Sequence, residues 1–292
     1  MSQFAFDAIG TRFAIDSETK LGEQLRRRIR DLADRFDRTY SRFREDSLIS
    51  CIAVAEHGSA FEFPSDDADM FHLYDRHHLA TDGAVDPLVG RDLELLGYDR
   101  HYSLRPLAGG IAAYATERPI WKRDVLRVGN ILRSRRPLTI DLGAVGKGYL
   151  VDLISRLLVN EGFDAFTVDA SGDIEHRGGE LLQVGLEHPL DPKLIVGVAR
   201  LRNSSLCASA VNRRAWGDGQ HHMVDGRTGR PVTDVIATWV VSNDTATADG
   251  LATALFFAPA SRLTERFDFS FVRMFADGSA EMSENFEGEV FT

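Results

Sequence analysis

Three stretches of this chain place charged and hydroxyl side chains at spacings that chemistry could use. The first is Asp141-Leu142-Gly143-Ala144-Val145-Gly146-Lys147-Gly148-Tyr149. An acidic residue ends an apolar run, small residues follow, and a lysine opens an amphipathic segment. Small residues let backbone N–H groups approach a ligand, a helix N-terminus favours an anion, and the lysine adds positive charge. Together they offer a place for a phosphate. This is not a Walker A loop, which needs glycine where Asp141 stands and Ser or Thr where Gly148 stands. Taken alone, the turn also reads as a plain strand-to-helix connection.

The second stretch is Thr247-Ala248-Asp249-Gly250-Leu251-Ala252-Thr253. Asp249 and Thr253 are four apart, on one face of a helix. Two hard oxygens on one face suit Mg²⁺ or Ca²⁺, with carbonyls, water and substrate phosphate filling the remaining positions. The same pair also reads as a helix cap and a hydroxyl bonding back to a carbonyl. The third stretch runs from His221 to Pro231 through Val224-Asp225-Gly226-Arg227. His222 could act as a general base or orient a phosphate, or it could be structural. The histidine pair lacks a third ligand at suitable spacing, and no H-E-x-x-H is present, so a zinc site is not indicated.

Weaker candidates have adequate structural explanations. Thr81-Asp82-Gly83-Ala84-Val85-Asp86-Pro87 reads as a helix end and a loop. Ser209 has no nucleophile elbow around it. Cys51 and His57 have no visible activating partner. His72, His77 and His78 read as helix filler.

Composition bounds the function. The 292 residues are 43% hydrophobic, enough for a full core, with a formal net charge of -10. Nucleic acid and anionic lipid are therefore poor partners for the surface as a whole, and any phosphate site must be local. With only Cys51 and Cys207 and no C-x-x-C, neither a disulfide framework nor a cysteine zinc site is expected. No apolar run is long enough to span a membrane, and no signal-peptide pattern is visible, so a cytoplasmic location without stable membrane insertion is expected.

The elements that must hold these residues follow from periodicity. Residues 4–16 alternate around Gly10-Thr11 as a bent strand or strand pair. Leu21, Leu25, Ile29, Leu32 and Phe36 mark a helix whose arginines form a solvated face. A loop is expected from Thr39 to Ser50. Ser65 is expected to cap a helix reaching about Ala80 and ended by Asp82-Gly83. Residues 91–138 read as irregular. Strands are expected at 138–142, 166–169, around Val184, at 195–201, 237–242 and 269–274. Helices are expected at 147–158 and 246–257. The alternation predicts one α/β unit of mixed α+β character over residues 1–292.

The order of these pieces resembles the ApbE family, the FAD:protein FMN transferases, which move FMN from FAD onto a Thr or Ser of a target protein. The likeness runs from Ala8-Ile9-Gly10-Thr11 to the helix carrying Thr253. Between them lie Ser41-Arg42-Phe43 with Asp46-Ser47-Leu48, then Thr81 to Pro87, Asp141 to Tyr149 with Asp152, Ser171-Gly172-Asp173, and His222 to Pro231. The resemblance implies a compact two-lobed fold with FAD in the cleft between the lobes. It implies Mg²⁺-dependent transfer of FMN through a phosphoester bond to an acceptor flavoprotein, releasing AMP.

By position, the resemblance makes Asp249, Thr253 and the Ala144 carbonyl the metal ligands, and His222 and Asp249 the catalytic residues. Asp141 and Lys147 become FAD contacts, while Ile9, Phe43, Ala84, Val85, Asp86 and Val224 line the flavin nucleotide. Several positions depart from the family pattern. Ile9 replaces the usual Met, and Ala53 replaces an Asn, removing a polar group expected near the substrate. Ser171 replaces a Gly, with loss of a tighter backbone approach expected. Ala208 and Ala210 replace a Thr and a Gly, Gly226 replaces a Pro, and Gly250 replaces an Ala. An FAD pyrophosphatase giving FMN and AMP, and a non-catalytic FAD-binding protein, are the alternatives these departures leave open.

Overall fold

Residues 4–16 fold as a hairpin in the computed structural model, which describes residues 1–291. Ser2–Ala8 and Thr11–Ser17 pair antiparallel with Ala8 opposite Thr11. A two-residue hairpin turn that follows the strand twist needs positive φ at both residues. Ile9 and Gly10 supply φ of 45° and 74°. For the β-branched Ile9 that conformation costs about 1–3 kcal/mol, which the surrounding structure must offset.

The hairpin opens an eight-stranded sheet that continues through Phe166–Asp169, Asp173–Arg177, Ser204–Ala210, Val235–Ser242, Ser270–Phe275 and Ala280–Met282. Every neighbouring pair in it is antiparallel, so the mixed class is α+β rather than a parallel βαβ array. The period of two along each strand sorts the side chains. Cys207, Val240 and Phe271 enter the large core beneath the helices, while Leu206, Trp239 and Val272 enter a second core. A three-stranded sheet, ordered Gly288–Val290, Ile195–Leu201 and Leu182–Glu187, closes that second core. Helices Glu23–Tyr40, Ala68–Ala80, Gly146–Asn160 and Thr245–Ala254 cover the first. Among the described residues, no helix is long and apolar enough to cross a membrane.

Several local expectations fail for physical reasons. Residues 138–142 are not a strand. Leu138, Ile140 and Leu142 are buried at strand-like spacing, but the backbone they meet is the end of the helix Leu48–Ala53 and the 3₁₀ turn Pro87–Val89. The backbone therefore bonds irregularly, Leu138 N–H to Ile52 O at 3.4 Å and Asp141 N–H to Pro87 O at 2.7 Å. Ser65 caps nothing. It begins a 3₁₀ turn, Ser65–Asp67, ahead of the helix Ala68–Ala80. The Tyr40 hydroxyl donates to the Asp67 carboxylate at 2.8 Å.

The expected loop from Thr39 is shortened at both ends. The first helix runs to Tyr40, and Ser47 accepts the Ser50 N–H at 3.1 Å to cap a helix Leu48–Ala53. Residues 91–138 hold the short helices Gly110–Tyr114 and Trp121–Asp124 and the hairpin of Val125–Val128 with Ile131–Ser134. The helix expected at 246–257 spans Thr245–Ala254. Strands Asp173–Arg177 and Ser204–Ala210 gave no sequence signal, because one is charge-rich and the other is built from Ser, Ala and Cys.

Candidate active site

The two helices that carry Lys147 and Asp249 cross at Gly148. A Cβ there would strike the Thr245 carbonyl and lie 2.8 Å from the Asp249 Cβ. Glycine permits the close approach, and the Gly148 N–H donates to Asp249 Oδ2 at 2.9 Å. This explains why glycine stands where a Walker loop has a hydroxyl. The crossing is locked from the other side by Asp152, whose carboxylate accepts N–H bonds from Thr245 at 2.8 Å and Ala246 at 2.9 Å. Asp244 Oδ1 caps the same helix through Thr247 N–H at 2.8 Å.

Asp249 therefore points into a cavity of about 350 Å³ that is also lined by Ala144, Lys147, His222 and Thr253. The fully buried Asp173 adds a second carboxylate. Lys147 Nζ lies 2.5 Å from Asp173 Oδ2 and 3.4 Å from the Ala170 carbonyl. Burial, then the Asp173 carboxylate, push the Asp249 carboxyl well above its ordinary range, and Lys147 and the Gly148 N–H oppose this only in part. Burial also raises Asp173 against the pull of Lys147. Two buried carboxylates sharing one ammonium are short of positive charge. Asp249, Thr253 and Ala144 all line this cavity and each carries an oxygen of the kind a hard cation takes, which would supply it. Among the described residues, no three His, Cys, Asp or Glu side chains form a metal cluster. A cation here would depend on the Thr253 hydroxyl, the Ala144 carbonyl and substrate oxygens.

A second chamber of about 580 Å³ adjoins the first, and Gly10, Tyr98, Asp141, Gly143, Lys147 and Arg214 line both. The sequence-predicted residues divide between them. Ile9 and Phe43 lie in this outer chamber, whereas Ala84, Val85, Asp86, Val224 and His222 lie in the inner one. The outer wall is aromatic. Phe43 stacks on Tyr102 with centroids 5.2 Å apart, and Tyr98 stacks on Trp216 at 5.5 Å.

Asp141 is spent on holding this wall. Its Oδ2 pairs with Arg42 Nε at 2.5 Å, and its Oδ1 accepts Gly143 N–H at 2.8 Å. Burial pushes the Asp141 carboxyl up, but Arg42 and the Gly143 N–H outweigh it and hold it below the usual range. Arg42 keeps both terminal nitrogens unpaired and buried, with its guanidinium 4.3 Å from the Phe43 ring centroid. Arg42 and Arg214 are cations on the chamber walls to which sequence reasoning gave no role. Arg42 stood in the block Ser41-Arg42-Phe43, but no function was assigned to it there. Arg214 sits in a short 3₁₀ turn, Val211–Arg214, with no motif, and it makes no salt bridge among the described residues.

His222 faces the inner chamber with Nδ1 unpartnered. Burial, then the nearby Arg214, push its pKa down to about 3. The imidazole is therefore neutral near pH 7. Asp86 belongs to the scaffold: Oδ1 accepts Leu88 N–H at 2.8 Å and Oδ2 accepts Trp121 N–H at 3.0 Å. Its chain neighbours Ala84 and Val85 are held against the cavity in consequence.

The chain matches the ApbE family over residues 9–269. It belongs to the ApbE family. Among curated relatives, the FAD:protein FMN transferase of Klebsiella pneumoniae (strain 342) is 27% identical over 247 residues, covering 80% of this chain and 71% of that protein. The Salmonella typhimurium protein of the same name is 27% identical over 252 residues, covering 82% and 72%. The solved flavin transferase ApbE from Vibrio cholerae superposes with a TM-score of 0.84 at 22% identity over 97% of each chain. The ApbE protein from Thermotoga maritima gives 0.84 at 23% identity, also over 97% of each chain. These structural likenesses establish the fold.

Most departures from the ApbE pattern are absorbed locally. Ser171 adopts φ of 57°, so the turn a glycine would make is kept, and its hydroxyl donates to the Arg12 carbonyl at 2.9 Å. Gly226 donates its N–H to the Ala84 carbonyl at 2.8 Å, a bond proline cannot make. Gly250 lies under the His77 ring, which occupies the space a Cβ would take. Ala53 lines neither chamber, contrary to the expectation of a polar loss near the substrate. Ala208 and Ala210 do line the inner chamber beside Ser209, and nothing in the structure compensates for their missing hydroxyl and flexibility.

Proposed function

We propose that this chain transfers FMN from FAD to a Thr or Ser hydroxyl of an acceptor protein, forming a phosphoester and releasing AMP with the help of Mg²⁺. One observation carries the reading. Two chambers suited to ring systems meet at the turn 141–147, where Lys147, Arg214 and the unpaired nitrogens of Arg42 bring N–H donors to one place. FAD has that shape, with two ring systems joined by a pyrophosphate. The curated relatives are named FAD:protein FMN transferase, which supports the transfer of FMN from FAD to a protein.

The residues divide the work as follows. Lys147 and Arg214 hold the pyrophosphate at the junction of the chambers, and Arg42 adds a charged contact from the outer wall. Asp249, the Thr253 hydroxyl and the Ala144 carbonyl would hold Mg²⁺, which when bound neutralises charge on the attacking and leaving oxygens. His222 accepts the proton of the acceptor hydroxyl as its oxygen attacks the FMN phosphorus and AMP departs. Val85, Met223, Val224, Trp239 and Phe257 give the inner chamber apolar walls that disfavour water. Water in the acceptor's place would make the protein an FAD pyrophosphatase.

The test is AMP release from FAD and Mg²⁺, with and without a flavin-acceptor domain, read together with in-gel flavin fluorescence. AMP with a fluorescent acceptor band is expected. Asp249→Ala should lower Mg²⁺-dependent AMP release by at least about 100-fold, the scale of losing metal charge stabilisation. AMP without any band would replace transfer by hydrolysis, and bound FAD without AMP would leave a binding protein.

A further inference from the structure

Tyr74 lies on the helix Ala68–Ala80, where its spacing from Phe71 and His78 marks only a core-facing residue. Its ring is fully buried in the large core. Its hydroxyl reaches the wall of the inner chamber and has no hydrogen-bond partner. The backbone N–H groups of Ala144 and Val145 bear on its oxygen, and the Asp141 and Asp249 carboxylates act on it through space without accepting its proton.

A buried hydroxyl without a partner is costly, and phenylalanine would fill the same space without that cost. The hydroxyl therefore calls for an acceptor that the protein alone does not provide. The chamber wall around it includes Lys147 and the turn 141–147, where an anionic group is expected. Phosphate oxygens only accept hydrogen bonds, so the partner they need is a protonated donor. A tyrosine phenol carries its proton at neutral pH and can donate it in a hydrogen bond.

We propose that the Tyr74 hydroxyl donates a hydrogen bond to the pyrophosphate of bound FAD and is a substrate-contacting residue of this site. The proposal rests on the reading of the cavity as an FAD site and deepens it. Tyr74 lines the chamber from the helix Ala68–Ala80, which carries none of the motif residues.

The test uses the full chain in EDTA, so that no turnover occurs, and titrates FAD and riboflavin by calorimetry into the wild type and Tyr74→Phe. Riboflavin lacks every phosphate. The variant should bind FAD about 10- to 100-fold more weakly, the range for a hydrogen bond to a charged group, and riboflavin equally well. Its ligand-free Tm should be unchanged or higher, because an unpartnered polar group has been removed. Unchanged FAD affinity, equal weakening for both ligands, or a lower ligand-free Tm would overturn the assignment, the last by making Tyr74 structural. Wild-type protein that binds FAD and releases no AMP with Mg²⁺ ends the transferase reading but leaves this test intact. Wild-type protein that does not bind FAD ends both.

Discussion

At the scale of single residues, protonation state decides what His222 can do. A base must be neutral before it takes a proton, and His222 is neutral down to about pH 3. AMP release should therefore show no loss from this group as pH falls from 7 to 5. A histidine titrating near its ordinary 6.5 would lose about tenfold per unit below that value. The kcat/KM profile of the free enzyme between pH 5 and 8 decides the matter. An acid limb centred near 6.5 and absent in His222→Gln would show that the site is wetter than the structure indicates. Asp141 was expected as an FAD contact. In the structure it lines both chambers while its carboxylate also holds Arg42 and accepts the Gly143 N–H.

At the scale of elements, the metal wall depends on how closely two helices cross. Gly148→Ala would drive a methyl group into the Thr245 carbonyl, which as backbone cannot swing away. Overpacking of this kind costs about 1–3 kcal/mol, and here it also separates Gly148 N–H from Asp249. Urea unfolding should show the loss, accompanied by weaker Mg²⁺ dependence. A second contact, between the helices Ala68–Ala80 and Thr245–Ala254, pairs His77 with Gly250. His77 is fully buried, stacks on Phe267 at 4.8 Å, and has neither ring nitrogen partnered.

Gly250→Ala alone should destabilise by about 1–3 kcal/mol, and in a His77→Ala background the same change should cost far less. A double-mutant cycle with additive values would show that the two do not share the space. His77 also makes stability depend on pH. Burial, then Arg76, lower its pKa from 6.5 to about 3, so between those values the unfolded chain binds a proton that the folded one refuses. Stability therefore falls as pH drops below about 6.5, by up to ~1.4 kcal/mol per unit for this group.

At the scale of the whole molecule, the two chambers lie between elements distant in sequence. Residues from the first hairpin, the turn 141–147, the strand Ser204–Ala210 and the helix Thr245–Ala254 all face them. A ligand bridging so many segments holds the fold together. FAD with Mg²⁺ should stabilise the folded state by about 2.7 kcal/mol at a hundred times its Kd, read as a rise in Tm. EDTA should remove the part of that rise owed to the cation. No shift with FAD would argue that the chambers do not hold it.

By itself, the sequence determined the chemistry that local spacing encodes. Asp249 and Thr253 share a helix face because helical periodicity requires it, and the small residues before Lys147 permit a close backbone approach. The order of such blocks was enough to assign the ApbE family. Tertiary structure decided what distant residues do to one another. Asp173 next to Lys147, Arg42 on Asp141, Arg214 across both chambers and the stranded hydroxyl of Tyr74 depend on contacts between remote segments, and no local pattern records them. The run 138–142 shows the same limit. Its burial was legible from alternating apolar residues, but whether it became a strand depended on a neighbouring backbone to pair with, and the fold placed a helix end and a 3₁₀ turn there instead.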